Sequence, residues 1–88
     1  MNTSVVNHAP AVQAVGVRFV GEKLCIELSD GRELRVPYRQ VPWLVWLAKA
    51  TPKQRNAWSL EPGGYAIYWD ELDDGIEIGH LLAMEAIV

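Results

Sequence analysis

Val15-Gly-Val-Arg-Phe-Val-Gly-Glu-Lys-Leu-Cys-Ile-Glu-Leu-Ser-Asp-Gly-Arg-Glu-Leu-Arg-Val36 decides the fold class of this chain. Val15, Val17 and Phe19 share one side of an extended backbone and Gly16 and Arg18 the other, the period-two pattern of a half-buried strand. Gly21-Glu22 supplies a tight turn, and Leu24, Ile26 and Leu28 then alternate with Lys23, Cys25 and Glu27. Asp30-Gly31 is a strong hairpin signal, because glycine accepts the positive φ such a turn requires. Leu34 and Val36 return to the apolar side, with Glu33 and Arg35 outside. The spacing predicts a three-stranded antiparallel meander.

Beyond Pro37 the pattern becomes helical. On a helix over residues 41–50, Val41, Leu44, Val45 and Ala48 share one face, and Trp43, Trp46, Leu47 and Ala50 the opposite one. A helix apolar on both sides is normally covered on both sides. One face can rest on the sheet; the other calls for a different part of the chain or for another chain. Thr51 restarts the helix, with Pro52 at its first position and Gln54 completing a capping box. Pro62-Gly63-Gly64 breaks it. Tyr65, Ile67 and Trp69 alternate with Ala66 and Tyr68 as a fourth strand, and Asp73-Asp74-Gly75 turns the chain. Ile76 and Ile78 make a brief fifth strand, and residues 79–84 close as a short helix.

The expected architecture is therefore α+β. A small antiparallel sheet (the meander plus two short strands) packs against one broken helix, with a short C-terminal helix. The domain spans residues 12–88 and follows a flexible arm at residues 1–11. Four Trp, three Tyr and one Phe, within a chain that is 50% hydrophobic, supply enough apolar area for a core.

Charge is unevenly spread. Residues 1–60 hold all eight Lys and Arg against four acids, net +4, whereas residues 61–88 hold seven acids and no base, net −7. Such a split either cancels within the fold or leaves an acidic edge that steers a basic partner. Cys25 is the single cysteine, so a disulfide framework is excluded and a reducing cytoplasm suits the chain. No apolar run approaches the roughly 20 residues of a membrane span. The first residues lack the basic and apolar regions of a signal peptide.

Catalytic and ligand-binding patterns are each weak. Asp70, Glu71, Asp73, Asp74, Glu77 and His80 include hard-cation ligands, but they straddle a strand and a turn, so alternate side chains diverge. Their spacing matches neither a calcium loop nor a zinc motif. Asp73 or Asp74 with His80 could exchange protons only across a pocket that spacing does not indicate. Cys25 would need a positive neighbour to form a thiolate, and Lys23 shares its strand face by parity. Gly63-Gly64 precedes a strand, whereas a phosphate loop follows one and opens a helix. No cofactor, metal or catalytic residue is expected.

Arg32, Arg35 and Arg39, continued by Lys49, Lys53 and Arg55, could make a salt-sensitive face for nucleic acid, although the −7 segment repels phosphate. Protein association has more support. Trp43, Trp46, Leu47 and Ala50 form an apolar helix face, and Trp is enriched among residues that dominate interfaces.

The ordered motifs Leu28-Ser-Asp-Gly-Arg32, Val36-Pro37, Pro42-Trp-Leu44, Ala50-Thr-Pro-Lys-Gln-Arg55, Trp58, Gly63–Trp69, Leu72-Asp-Asp-Gly-Ile-Glu-Ile78 and Leu81-Leu82 resemble a known pattern. It is that of a family of small bacterial proteins catalogued as a domain of unknown function, and the resemblance covers residues 12–84. Many members have Trp-Pro and then Asp-Glu-Asp where this chain has Trp69-Asp70 and Asp73-Asp74-Gly75. The resemblance implies a hairpin-then-helix fold and no established catalytic residues. It also implies small stand-alone proteins, some beside another small protein in toxin–antitoxin-like arrangements. Some longer relatives continue into a helix-turn-helix, not expected here, where the sequence runs to Val88.

The expected function is a non-enzymatic protein-interaction module, the antitoxin-like or regulatory member of a bacterial gene pair. Its partner would be a second copy or a small protein encoded nearby. The alternative is a nucleic-acid-binding regulator using the Arg32/Arg35/Arg39 face.

Overall fold

Two hairpins build the first sheet. In the computed structural model, which describes residues 12–86, β1 (Ala14–Val20), β2 (Lys23–Leu28) and β3 (Glu33–Val36) pair antiparallel in the order β1-β2-β3. Residues 1–11, expected to form a flexible arm, lie outside the described residues. The register between β1 and β2 jumps, with Ala14 opposite Leu28 and Gly16 opposite Glu27. Val15 is thus the extra residue of a β-bulge, which turns it away from its expected side. Ala14 takes the buried place and Val15 is 58% exposed, while Val17 and Phe19 keep the apolar face. Cys25 is buried even though it lies on the outer face, where register sets it between Arg18 and Arg35.

The helix expected over residues 41–50 forms only in part. Single 3-10 turns occupy Tyr38–Gln40 and Pro42–Leu44, and α1 (Val45–Ala48) follows. Val41 is extended, with φ −101° and ψ 112°. The following Pro42 disfavours helical backbone at that position, so the segment cannot start earlier. Tightening toward three residues per turn also reassigns the faces. Leu44, Leu47 and Ala50, three apart, point inward together and are buried, whereas Val45 is 51% exposed. After the break, α2 (Pro52–Arg55) carries the expected capping box. Gln54 N–H donates to Thr51 Oγ1 at 3.1 Å, and Thr51 N–H donates to Gln54 Oε1 at 2.9 Å.

The second sheet has three strands, β4 (Ser59–Leu60), β5 (Ala66–Trp69) and β6 (Asp74–Glu77), again antiparallel in chain order. β4 is two residues long and carries no alternation, which is why the sequence pattern did not reveal it. The turn before β6 differs from expectation. Asp70–Leu72 form a 3-10 turn and Asp73 itself adopts the left-handed conformation, φ 51°. Aspartate tolerates this better than most residues. Gly75 instead belongs to the strand, where a Cβ would stand 2.7 Å from the Ile67 carbonyl oxygen. Its lack of a side chain serves close strand approach. Ile78 begins the last helix, α3 (Ile78–Ala86), rather than ending a strand.

One hydrophobic cluster joins these parts. Leu24, Ile26, Leu34 and Val36 of the first sheet meet Leu44 and Leu47 of the middle segment, then Ile67, Trp69, Ile76, Ile78 and Leu81. The loop at Gly64 ties the second sheet to the start of β1. Gly64 has φ +72°, and a Cβ there would reach 2.5 Å from the Ala14 carbonyl oxygen. Any side chain at this point would push the sheets apart.

A candidate protein-binding groove beside the third strand

Arg55 and Trp69 decide the fate of the apolar face on which Trp43, Trp46, Leu47 and Ala50 were placed. Arg55 is 9% exposed, and its guanidinium donates to the carbonyls of Leu47, Ala48 and Ala50 at and just beyond the end of α1, where Leu47 O also accepts from the Ala50 N–H and Ala48 O from Arg39. Its backbone carbonyl accepts from the Trp69 indole N–H at 2.8 Å. Trp69 is fully buried and meets Trp46 edge-on, with ring centroids 5.5 Å apart. Leu47 and Ala50 are buried in the chain's own core, and Trp46 is half-buried with its indole N–H donating to Trp43 O at 3.0 Å. Trp43 remains 36% exposed, its ring 4.7 Å from that of His80. Of the two covers the sequence left open for this face, a different part of the chain takes Leu47, Ala50 and part of Trp46, and Trp43 stays partly exposed. The cover comes from the second sheet and α2, which the helical wheel could not include.

Open apolar surface lies elsewhere. A groove of about 440 Å³ runs between β3 and α3. Leu34, Val36 and Pro37 form one wall, Val41 closes an end, Leu81 and Met84 form the α3 wall, and Arg35 marks the rim. Leu34 and Leu81 are buried at its floor, while Pro37, Val41 and Met84 are half-buried at its mouth. Among the described residues the strand wall is an open sheet edge, since β3 is last in its sheet. Leu34 and Val36 were legible as core-facing residues. Leu81 was legible only within the Leu81-Leu82 motif and Met84 only as part of the closing helix; their three-residue spacing on a short helix was the available signal.

The basic residues do not form the single face expected of them. Arg32 stays at the hairpin before β3, its Nε 2.8 Å from Asp30 Oδ2. The Asp30 carboxyl lies below its ordinary pKa, first because it accepts from the Arg32 backbone N–H and then through the side-chain pair. Arg35 and Arg39 lie beyond, in a concavity of about 480 Å³ shared with Arg18 and Lys23 and containing Cys25. Carboxylates answer these guanidiniums. Arg18 and Arg35 stand 2.8 and 3.0 Å from Glu33, and Arg39 stands 3.5 Å from Glu22. Lys49 and Lys53 are exposed, and Arg55 is inside.

The acidic residues follow the second sheet. The Tyr68 hydroxyl donates to Asp73 Oδ1 at 2.6 Å, and that bond pushes the phenol pKa up to about 12. Among the described residues, no three His, Cys, Asp or Glu side chains gather as a metal site, and no helix is long and apolar enough to cross a membrane.

This geometry has a solved counterpart. The crystal structure of a protein of unknown function from Rhodospirillum rubrum ATCC 11170 superposes with a TM-score of 0.72 at 22% identity, covering 84% of this chain and 88% of that one. At that identity the likeness establishes the fold. No curated protein matches the chain. The family described as Protein of unknown function (DUF2442) matches residues 14–85, almost the span over which the motif succession resembled such a family. The chain belongs to that family.

Proposed function

We propose that this protein is a non-enzymatic interaction module that holds a protein partner in the groove between β3 and α3. The observation that carries the reading is an apolar groove of about 440 Å³ bordered by an unpaired strand edge. A strand edge offers backbone hydrogen bonds to an extended segment, and an adjoining apolar trough takes its alternate side chains. Trp43, exposed on the neighbouring turn, extends the apolar surface toward His80. A regulatory or antitoxin-like member of a bacterial gene pair needs such a surface, and the free buried thiol of Cys25 fits a reducing cytoplasm.

The test is co-expression with the product of the adjacent reading frame, beside mass measurement of the purified chain alone. Met84→Asp and Val41→Asp put a carboxylate at the groove mouth and are expected to abolish co-purification or self-association while the fold persists. A chain that is monomeric, retains nothing and responds to neither substitution would refute the reading.

A second reading has its own observation, the concavity shared by Arg18, Lys23, Arg35 and Arg39. It makes the protein a nucleic-acid-binding regulator, with Arg18 and Lys23 in place of the remote Arg32. Its binding should fall steeply with salt. Absence of a gel shift at low salt removes it.

A further inference from the structure

We infer that the segment occupying this groove is the same strand of a second copy, so that two chains join edge to edge through β3. This inference rests on the groove being a protein-binding site and names its occupant. The register decides which backbone groups are free. Leu28 N–H donates to Arg32 O at 2.8 Å and Gly31 N–H donates to Leu28 O at 3.0 Å, so Leu28 turns both its polar groups toward β3. Alternation along β2 then makes Ile26–Leu34 and Leu24–Val36 the hydrogen-bonded pairs of the β2–β3 ladder. The N–H and C=O of Glu33 and Arg35 consequently point outward, along the open edge.

The side chains of that edge complement themselves. An antiparallel twofold pairing centred on Leu34 sets Glu33 opposite Arg35 of the second copy and Arg35 opposite its Glu33. These are the positions whose backbone groups are available, so each pair gains both hydrogen bonds and opposite charge. On the other face, Leu34 meets its own copy in a close non-hydrogen-bonded pair, and the two grooves, each walled by Leu81 and Met84, merge into one apolar seam. The pairing closes after two chains and yields a continuous six-stranded sheet.

The other edges lack this match. β1 carries the bulge at Val15, which twists an edge away from pairing. β4 has two residues, and β6 presents Asp74 and Glu77 without a base.

Analytical ultracentrifugation of the intact chain tests the inference. The wild type is expected to sediment as a dimer, twice the 9.9 kDa chain mass. Arg35→Pro removes the outward N–H together with the guanidinium that pairs with Glu33, but no bond of the β2–β3 ladder, so the hairpin persists and far-UV circular dichroism should not change. It is expected to weaken self-association by about tenfold or more. Arg35→Glu sets acids opposite acids and should do the same, and exchanging the pair as E33R with R35E should restore the dimer. A wild type that stays monomeric, or a dimer that survives both R35P and R35E, overturns the inference. A monomer that still retains the adjacent gene's product overturns self-pairing alone, and the groove keeps its role.

Discussion

Two apolar regions of similar composition end differently in this molecule. Around Leu44, Trp46, Leu47 and Ala50 the surface is closed. Trp69 lies edge-on against Trp46, and Arg55 takes up the carbonyls that end α1. Around Leu34, Val36, Val41, Leu81 and Met84 the surface stays open as a groove. The number of large apolar residues does not separate the two. What separates them is a plug that brings its own polar partners. An indole and a guanidinium can seal a region because each satisfies backbone groups as it excludes water. Among the described residues β3 has no such neighbour, so its edge and its trough remain available.

Removing the plug should produce the largest effect. Trp69→Ala leaves a cavity beneath Trp46 and strips the Arg55 carbonyl of its donor. A loss of about 3–5 kcal/mol is expected from urea unfolding. A loss below about 1 kcal/mol would show that the region is not closed in the sense described. Arg55→Met keeps the bulk but strips the Ala50 carbonyl of its donor and leaves Leu47 O and Ala48 O with the Ala50 N–H and Arg39 alone, with an expected cost of about 2 kcal/mol in the same measurement. If it proved neutral, the seal would be a matter of packing alone.

The open region should respond in the opposite sense. Met84→Ala trims a half-buried side chain at the mouth of the groove, and stability should fall by about 1 kcal/mol or less. A larger cost would mean that the groove is filled by the chain itself, and the contrast would vanish.

The smallest effect lies outside both regions and serves as a reference. Tyr68 donates to Asp73, and its folded pKa, about 12, stands above the ordinary phenol value. The sign follows: a raised folded pKa adds stability that is full below about pH 10 and is lost as pH rises through about 12. Titration followed at 295 nm should show one late tyrosine, returning toward the ordinary value in Asp73→Asn. Asparagine also accepts the left-handed backbone at residue 73, so the turn should survive.

Much of the architecture was legible because it is local. The period-two runs at Leu24–Leu28 and Leu34–Val36 and the Asp30-Gly31 turn specify the first sheet without reference to anything distant. So does the Thr51–Gln54 box for α2, since each of its two hydrogen bonds spans three residues. Illegible features had distant causes. Val15 was placed on the wrong side because a bulge belongs to a strand pair, not to one strand. Gly75 read as a turn residue because its requirement comes from Ile67 across the ladder. The candidate site divided in the same way. Trp43 kept an exposed surface, but Leu47 and Ala50 did not, since Trp69 and Arg55 reach them from beyond the break.

By itself, then, the order of residues determined the meander of the first sheet with its turns, the helix cap and the family to which the chain belongs. Only the tertiary structure decided which apolar surface is sealed and which stays open. Periodicity records the side of an element on which a residue stands. Burial depends on what arrives from elsewhere in the chain, and that is set by packing between segments distant in sequence.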